Sequence, residues 1–200
     1  MLDDRVRAVL RRLEEETAAE DGADLPVASR SLQIEPTSGA LLFALCVGRP
    51  GCQVLEIGGS RGYSTIWLGA AVRLHGGHVT SLEAEPVKLE ASARNIADAG
   101  LADWVDVLPG DAFETLKTLD GPFDVVFLDA WKGDYEALFS LARARVEPGA
   151  VVVADNVVSH AELAAYSAAR QSDPTLVSVT IPLDNGLEVT SVLTGGLLSG

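Results

Sequence analysis

Cationic side chains are scarce in this 200-residue chain: 15 lysines and arginines stand against 29 aspartates and glutamates, a formal charge of −14. That imbalance excludes nucleic acid as a partner class, because phosphate neutralisation needs a basic surface. It also disfavours an anionic membrane surface and favours, if anything, a cationic ligand. Cysteine is nearly absent. Cys46 and Cys52 alone do not make a disulfide framework, so a reducing compartment is the expected setting, with Cys46 a core residue and Cys52 a strand-edge thiol. The three histidines, His75, His78 and His160, lack ligand-like spacing, which argues against a histidine metal site. No apolar run approaches the roughly 18 residues of a membrane span. Met1-Leu2-Asp3-Asp4 opens without the basic-then-apolar pattern of a secretory leader. Internal repeats and low-complexity segments are missing too. A cytoplasmic protein acting on small molecules is the expectation these absences leave.

What the chain does have is apolar content of 48 %, enough to bury a full core. One domain over 1–200 is expected, with a helical cap over 1–48 and an α/β core over 49–200. Val6, Val9, Leu10 and Leu13 share one face of a helix over 3–20, with Asp3 or Asp4 as its cap. Residues 21–36 carry Gly22, Pro26 and Pro36 and form a loop; Thr37-Ser38 is positioned to cap a second helix from Gly39 to about Val47. Beyond Pro50-Gly51, strands near 53–57, 78–83, 104–108, 123–128 and 150–155 alternate with helices near 63–74, 86–99, 112–119, 135–145 and 160–171. Such alternation predicts a doubly wound, mostly parallel Rossmann-like sheet with right-handed crossovers. Two further β-rich segments, 175–181 and 187–194, flank the turn-like Asp184-Asn185-Gly186. They make seven strands in all, ending in an antiparallel hairpin at one edge.

The first strand, Gln53-Val54-Leu55-Glu56-Ile57, runs into Gly58-Gly59-Ser60-Arg61-Gly62 and then a helix starting at Tyr63-Ser64-Thr65. Glycines there permit close backbone approach to a ligand at a helix N-terminus. The second strand ends in Glu83, placed to accept hydrogen bonds from a ribose diol. Three readings of the loop compete. A dinucleotide fingerprint would need glycine where Ser60 and Tyr63 stand. G-x-S-x-G is also the nucleophile-elbow pattern of serine hydrolases, with Asp155 and His160 following in order, but such an elbow needs several strands upstream. An adenosyl ligand without phosphates needs a glycine loop, an acid after the second strand and another after the third. Gly58–Gly62, Glu83 and Asp111 in Leu108-Pro109-Gly110-Asp111-Ala112 supply all three.

Two continuous β-branched runs end in carboxylates: Phe123–Leu128 stops at Asp129-Ala130-Trp131-Lys132, and Ala150–Ala154 stops at Asp155-Asn156. Runs of this kind are strands buried on both faces, and ligands bind at their carboxyl ends. Three oxygen ligands and one ammonium therefore meet at the functional edge, a hard-cation site beside a base. Helix capping by Asp129 and Asp155, and an ordinary solvated role for Glu188, are the plain alternatives.

With those residues in hand, the chain over roughly 33–194 resembles class I S-adenosylmethionine-dependent O-methyltransferases, and most of all the metal-dependent catechol and caffeoyl-CoA O-methyltransferases. The segments that carry the resemblance are Leu128-Asp129-Ala130-Trp131-Lys132-Gly133-Asp134-Tyr135, Ala154-Asp155-Asn156-Val157 and Gly186-Leu187-Glu188. It implies that Glu56, Gly58, Gly62, Tyr63 and Ser64 line the methionine side of the cofactor S-adenosylmethionine, with Asp129 beside them. Glu83 would hold the ribose and Asp111-Ala112 the adenine. Asp129, Asp155 and Asn156 would bind a divalent ion, normally Mg²⁺; Lys132 would be the base; Glu188 would contact a second acceptor hydroxyl. The implied acceptor is a small phenolic molecule, a vicinal diol in the first instance, and the implied assembly is a homodimer. Three departures touch the acceptor side. Ala130 stands where catechol enzymes place a histidine, Ser60-Arg61 is unusual in the loop, and Val158-Ser159-His160 lacks a pocket-walling proline. A metal-independent methyltransferase and a serine hydrolase built on Ser60 remain as competing functions.

The implied chemistry is consistent with the residue types. Methyl transfer from a sulfonium needs a nucleophilic oxygen, whereas a phenol ordinarily ionises near pH 10. Chelation by Mg²⁺, which favours about six oxygens, would lower that value, and an amine beside the cation would serve as base.

Overall fold

The computed structural model describes residues 2–20, 26 and 30–193. Its elements run α1 (Asp4–Glu20), α2 (Pro36–Val47), β1 (Gln53–Ile57), α3 (Tyr63–Val72), β2 (His78–Glu83), α4 (Pro86–Asp98), β3 (Val105–Pro109), α5 (Ala112–Thr118), β4 (Phe123–Leu128), α6 (Tyr135–Arg143), β5 (Val146–Ala154), α7 (Ala164–Ser172), β6 (Leu176–Ile181) and β7 (Leu187–Val192). The seven strands form one sheet in the order β3-β2-β1-β4-β5-β7-β6. Only β7 runs against the rest, pairing antiparallel with both β5 and β6. The expected architecture, including the C-terminal hairpin at one edge, is the one found.

Strand alternation divides the core in two. Val54, Val125, Phe127, Val151 and Val153 pack on the face covered by α1, α2 and α3. Leu55, Ile57, Val126, Leu128 and Val152 pack on the opposite face with residues of α6 and α7. Both faces being apolar explains why these strands are continuous hydrophobic runs rather than alternating ones.

Three details differ from the sequence-based expectation. β5 begins at Val146 rather than near 150, passing through Glu147, Pro148 and Gly149 before its buried part. Cys52, expected at a strand edge, is fully buried, as is Cys46. Thr37 and Ser38 do not cap α2 from outside. The helix starts earlier, with Pro36 in its first turn, and no side chain caps it locally. Instead Asp184 reaches across from the β6–β7 turn, accepting from Thr37 Oγ1, Ser38 Oγ and the Ser38 backbone N–H at 2.7–3.0 Å. A carboxylate at a helix N-terminus satisfies free amides and opposes the helix dipole. It also pins α2 to the hairpin at the carboxyl edge of the sheet.

Candidate active site

Strand order reverses between β1 and β4, so the loops leaving them diverge and open a crevice, the usual ligand site in open α/β sheets. The two loops touch at its floor. Gly58 adopts φ +99°, and a Cβ there would sit 2.1 Å from the Asp129 carbonyl oxygen, so only glycine fits. A pocket beside this contact is lined by Gly58, Gly59, Ser60, Tyr63 and Ser64 from the loop and α3. Asp129 from β4 and the segment Ser31–Ile34 close it. Four non-glycine residues have left-handed backbone among those described: Leu32, Ser60, Asn156 and Asp184. All four lie in loops at the carboxyl edge of the sheet, where strained backbone commonly marks function.

The predicted cofactor residues fall in three groups. Gly58, Gly62, Tyr63 and Ser64 form the glycine turn and the start of α3, with Gly62 at φ +89° as N-cap. The Tyr63 hydroxyl donates to Glu14 of α1 at 2.6 Å, and burial together with that carboxylate pushes its pKa well up. Glu83 leaves β2 with both carboxylate oxygens engaged by backbone, one by Ser60 N–H at 2.7 Å and the other by Glu85 N–H at 2.8 Å. Asp111 caps α5 by accepting from Phe113 N–H at 2.8 Å and is itself exposed, next to Ala112 after β3, the edge strand of the sheet. Glu56 stands apart: it is fully buried beneath the loop, where Oε2 accepts from Thr65 and Ser81 and Oε1 has no partner. Burial raises its pKa. It braces the loop from below rather than lining the pocket.

The predicted metal and base residues do come together. Asn156 Nδ2 donates to Asp129 Oδ1 at 2.9 Å and to Asp155 Oδ2 at 3.1 Å, so one amide bridges two carboxylates. Lys132 Nζ donates to the same Asp129 Oδ1 at 2.9 Å and to the Tyr135 hydroxyl at 3.2 Å, and that hydroxyl donates to the Asp155 carbonyl oxygen at 3.1 Å. Asp155 is 3 % exposed and its Oδ1 has no hydrogen-bond partner. Burial, and then the neighbouring Asp129, push its pKa up to about 7. Neither aspartate caps a helix. Among the described residues no three His, Cys, Asp or Glu side chains cluster as a metal site; the set here is two carboxylates and an amide. Asn156, at φ +68°, is held in a conformation asparagine tolerates better than most residues.

Glu188 is not in this cluster. It lies opposite Ala154 and Thr180 in the sheet, fully buried, and accepts from Ser178, Thr180 and Gln171 beneath α7. Strand position placed it near the carboxyl edge, but the two-residue alternation turns it to the α7 face. Ser60 does not form a hydrolase elbow either. Its hydroxyl donates to the Ser31 carbonyl oxygen at 2.5 Å, while His160 Nδ1 pairs with Ser159. Sequence reasoning missed Tyr135 as a link between Lys132 and Asp155, although it closes the quoted motif. It also missed Asp184 and the segment Ser31–Ile34.

Comparison with known proteins agrees with this geometry. Residues 55–157 match the family described as Methyltransferase domain. The catechol O-methyltransferase of Mycobacterium tuberculosis is 37 % identical over 183 residues, spanning 90 % of this chain and 80 % of the relative. O-methyltransferase TomG from Streptomyces achromogenes, solved with SAM, superposes with a TM-score of 0.79 at 30 % identity, covering 96 % and 91 % of the two chains. An O-methyltransferase from Bacillus cereus, solved with SAH, gives 0.78 at 28 % identity, covering 92 % and 90 %. A doubly wound sheet, a glycine loop at its switch point and these relatives together establish that the chain belongs to the class I S-adenosylmethionine-dependent O-methyltransferases.

Proposed function

We propose that the chain transfers the methyl group of S-adenosylmethionine to a hydroxyl of a small catechol-like acceptor, assisted by a divalent ion, normally Mg²⁺. The observation that carries this reading is the pair of carboxylates bridged by Asn156, with Asp155 Oδ1 buried and unpartnered. A buried acid, Asp155, beside a half-buried one, Asp129, is costly without a counter-charge. Lys132 supplies one positive charge and pairs directly with Asp129, not with Asp155. Hard oxygens of this type suit Mg²⁺ or a similar ion, and Asn156 can present its amide oxygen by half a turn of the terminal bond. Asp129, Asp155 and Asn156 would hold the ion, which would supply Lewis-acid polarisation of the acceptor oxygens. The M. tuberculosis relative's name, catechol O-methyltransferase, points to the same acceptor class.

The chain's own residues do the rest. The glycine loop and α3 would orient the sulfonium from one side of the crevice, with Glu83 holding the ribose and Asp111 beside the adenine. With a divalent ion in place as counter-charge to Asp129, Lys132, reaching the floor of the site from the turn after β4, would be the neutral amine that takes the acceptor proton. Tyr135 holds its amine at 3.2 Å so that it does not swing to solvent. Trp131 and Val158, both exposed beside this cluster, offer apolar walls for an aromatic ring. Methyl transfer then depends chiefly on holding oxygen and sulfonium in line.

Calorimetric titration of Mg²⁺ into the protein with S-adenosylhomocysteine bound tests the ion site. Wild type should bind it and Asp155→Asn should bind it at least tenfold more weakly. Absent binding in both would leave the metal-independent reading, in which Lys132 balances Asp129, and equal binding in both would remove Asp155 from the ion site.

A further inference from the structure

We infer that Ser60 is a positioning residue that ties the segment Ser31–Ile34 to the glycine loop and so sets how long the cofactor stays in its pocket; the residence-time part rests on the cofactor reading above. The loop already contains three glycines, yet its most strained non-glycine position, at φ +47°, is a serine. Glycine would adopt that backbone at lower cost, so the side chain needs a reason. Its hydroxyl donates its proton to the Ser31 carbonyl oxygen at 2.5 Å, and its backbone N–H donates to Glu83 Oε2 at 2.7 Å. One residue therefore holds both the wall and the carboxylate placed for the ribose.

Arg61, next in sequence, adds a second tie to the same point. Its Nη1 pairs with Glu20 Oε1 at 2.7 Å, and Glu20 Oε2 accepts from Ser31 N–H at 2.9 Å. Thr17 and Ser31 share a further hydroxyl contact at 2.7 Å. Ser31 is thus held through its N–H, its carbonyl and its hydroxyl, and is 4 % exposed. Directly after it the chain turns through Leu32 at φ +44°, and Leu32, Gln33 and Ile34 form the pocket wall facing Gly58–Ser60. The two residues that depart from the ordinary loop pattern are the two that fasten this wall. A ligand between loop and wall leaves only when the fastening yields, so losing one neutral hydrogen bond should speed its departure by about three- to tenfold.

The test compares wild type, Ser60→Ala, Ser60→Gly, Glu20→Gln and the Ser60→Ala/Glu20→Gln double variant. Hydrogen exchange over 31–34 is measured without ligand, and the dissociation rate of S-adenosylhomocysteine is measured by displacement. Both Ser60 variants should exchange several-fold faster at 31–34 and release the ligand about three- to tenfold faster. Glu20→Gln should act in the same direction, with the double variant less than additive because both ties end on Ser31. A purely structural serine would instead be improved by glycine, which relaxes the backbone. Unchanged exchange at 31–34 in all variants overturns the tie. Unchanged ligand release, with exchange accelerated, overturns the control of residence time. A wild type that binds no S-adenosylhomocysteine overturns the cofactor reading itself, while the exchange arm still decides the tie.

Discussion

Gly58→Ala is the substitution whose cost can be worked out most directly. A Cβ at this position would lie 2.1 Å from the Asp129 carbonyl oxygen and 2.8 Å from its carbonyl carbon, both backbone atoms that cannot rotate away. Relieving the overlap means moving the β1 and β4 loops apart by about 1 Å, and overpacking of this kind costs about 1–3 kcal/mol. The backbone at φ +99° adds about 1–2 kcal/mol for an L side chain. Together the expected loss is about 2–5 kcal/mol, or about 5–15 °C in melting temperature for a chain of this size. Gly133→Ala is the matched control, because it lies one residue beyond Lys132, has ordinary φ and meets nothing within 4 Å; its melting temperature should stay within about 1 °C of wild type. Calorimetric melting of both variants, with titration of S-adenosylhomocysteine into each, is the assay. The separation of the two loops should also weaken that ligand in Gly58→Ala. A Gly58→Ala protein that melts within 2 °C of wild type and binds the ligand normally would refute the claim that this contact sets the floor of the site.

Three other outcomes are expected. Lys132→Ala should lower kcat by about 10²–10⁴-fold, as loss of a general base does, with affinity for S-adenosylhomocysteine within about twofold; near-full activity would remove the base assignment. Glu20 is held below its ordinary carboxylate pKa: burial pushes it up, but the Ser31 N–H and Arg61 outweigh that. A depressed carboxylate stabilises the fold above its unfolded pKa and loses that effect as pH falls through the folded value. Protection of residues 31–34 should therefore be full above about pH 5 and fall below about pH 4, and Glu20→Gln should flatten the profile; unaltered pH dependence in that variant would contradict the ion-pair account. Glu56, raised by burial, has the opposite sign, its stabilisation present below its unfolded pKa and lost as pH rises through the folded one. Glu56→Gln should gain stability relative to wild type as pH increases, and a constant difference between the two melting curves would count against a shifted Glu56.

The parts of the fold legible in the sequence are those fixed by local pattern. β4 from Val125 onward and the buried part of β5 are continuous apolar runs, and the acids that end them lie within three residues of their strands. Asp129, Lys132, Asp155 and Asn156 could therefore be placed at one edge once the parallel order was inferred. What sequence position could not give was which way a side chain turns or what meets it from far along the chain. Glu188 sits at the expected height in β7 but on the α7 face, because a shift of one residue inverts the face of a strand. The start of α2 was misplaced because its capping carboxylate, Asp184, is 146 residues from Ser38. Glu56 has the composition of a ligand contact, yet its hydroxyl partners Thr65 and Ser81 bury it under the loop. Ser60 matched a catalytic motif by spacing, and only the position of Ser31 against its hydroxyl shows a different use.

The most direct test of the central claim is calorimetric titration of S-adenosylmethionine with Mg²⁺ and with EDTA, followed by addition of a catechol to each mixture and assay of methylated product. The account requires cofactor binding in both mixtures and methylation only where Mg²⁺ is present. Cofactor binding with equal methylation in EDTA would contradict the role given to Asp129, Asp155 and Asn156, and no cofactor binding under either condition would contradict the account as a whole.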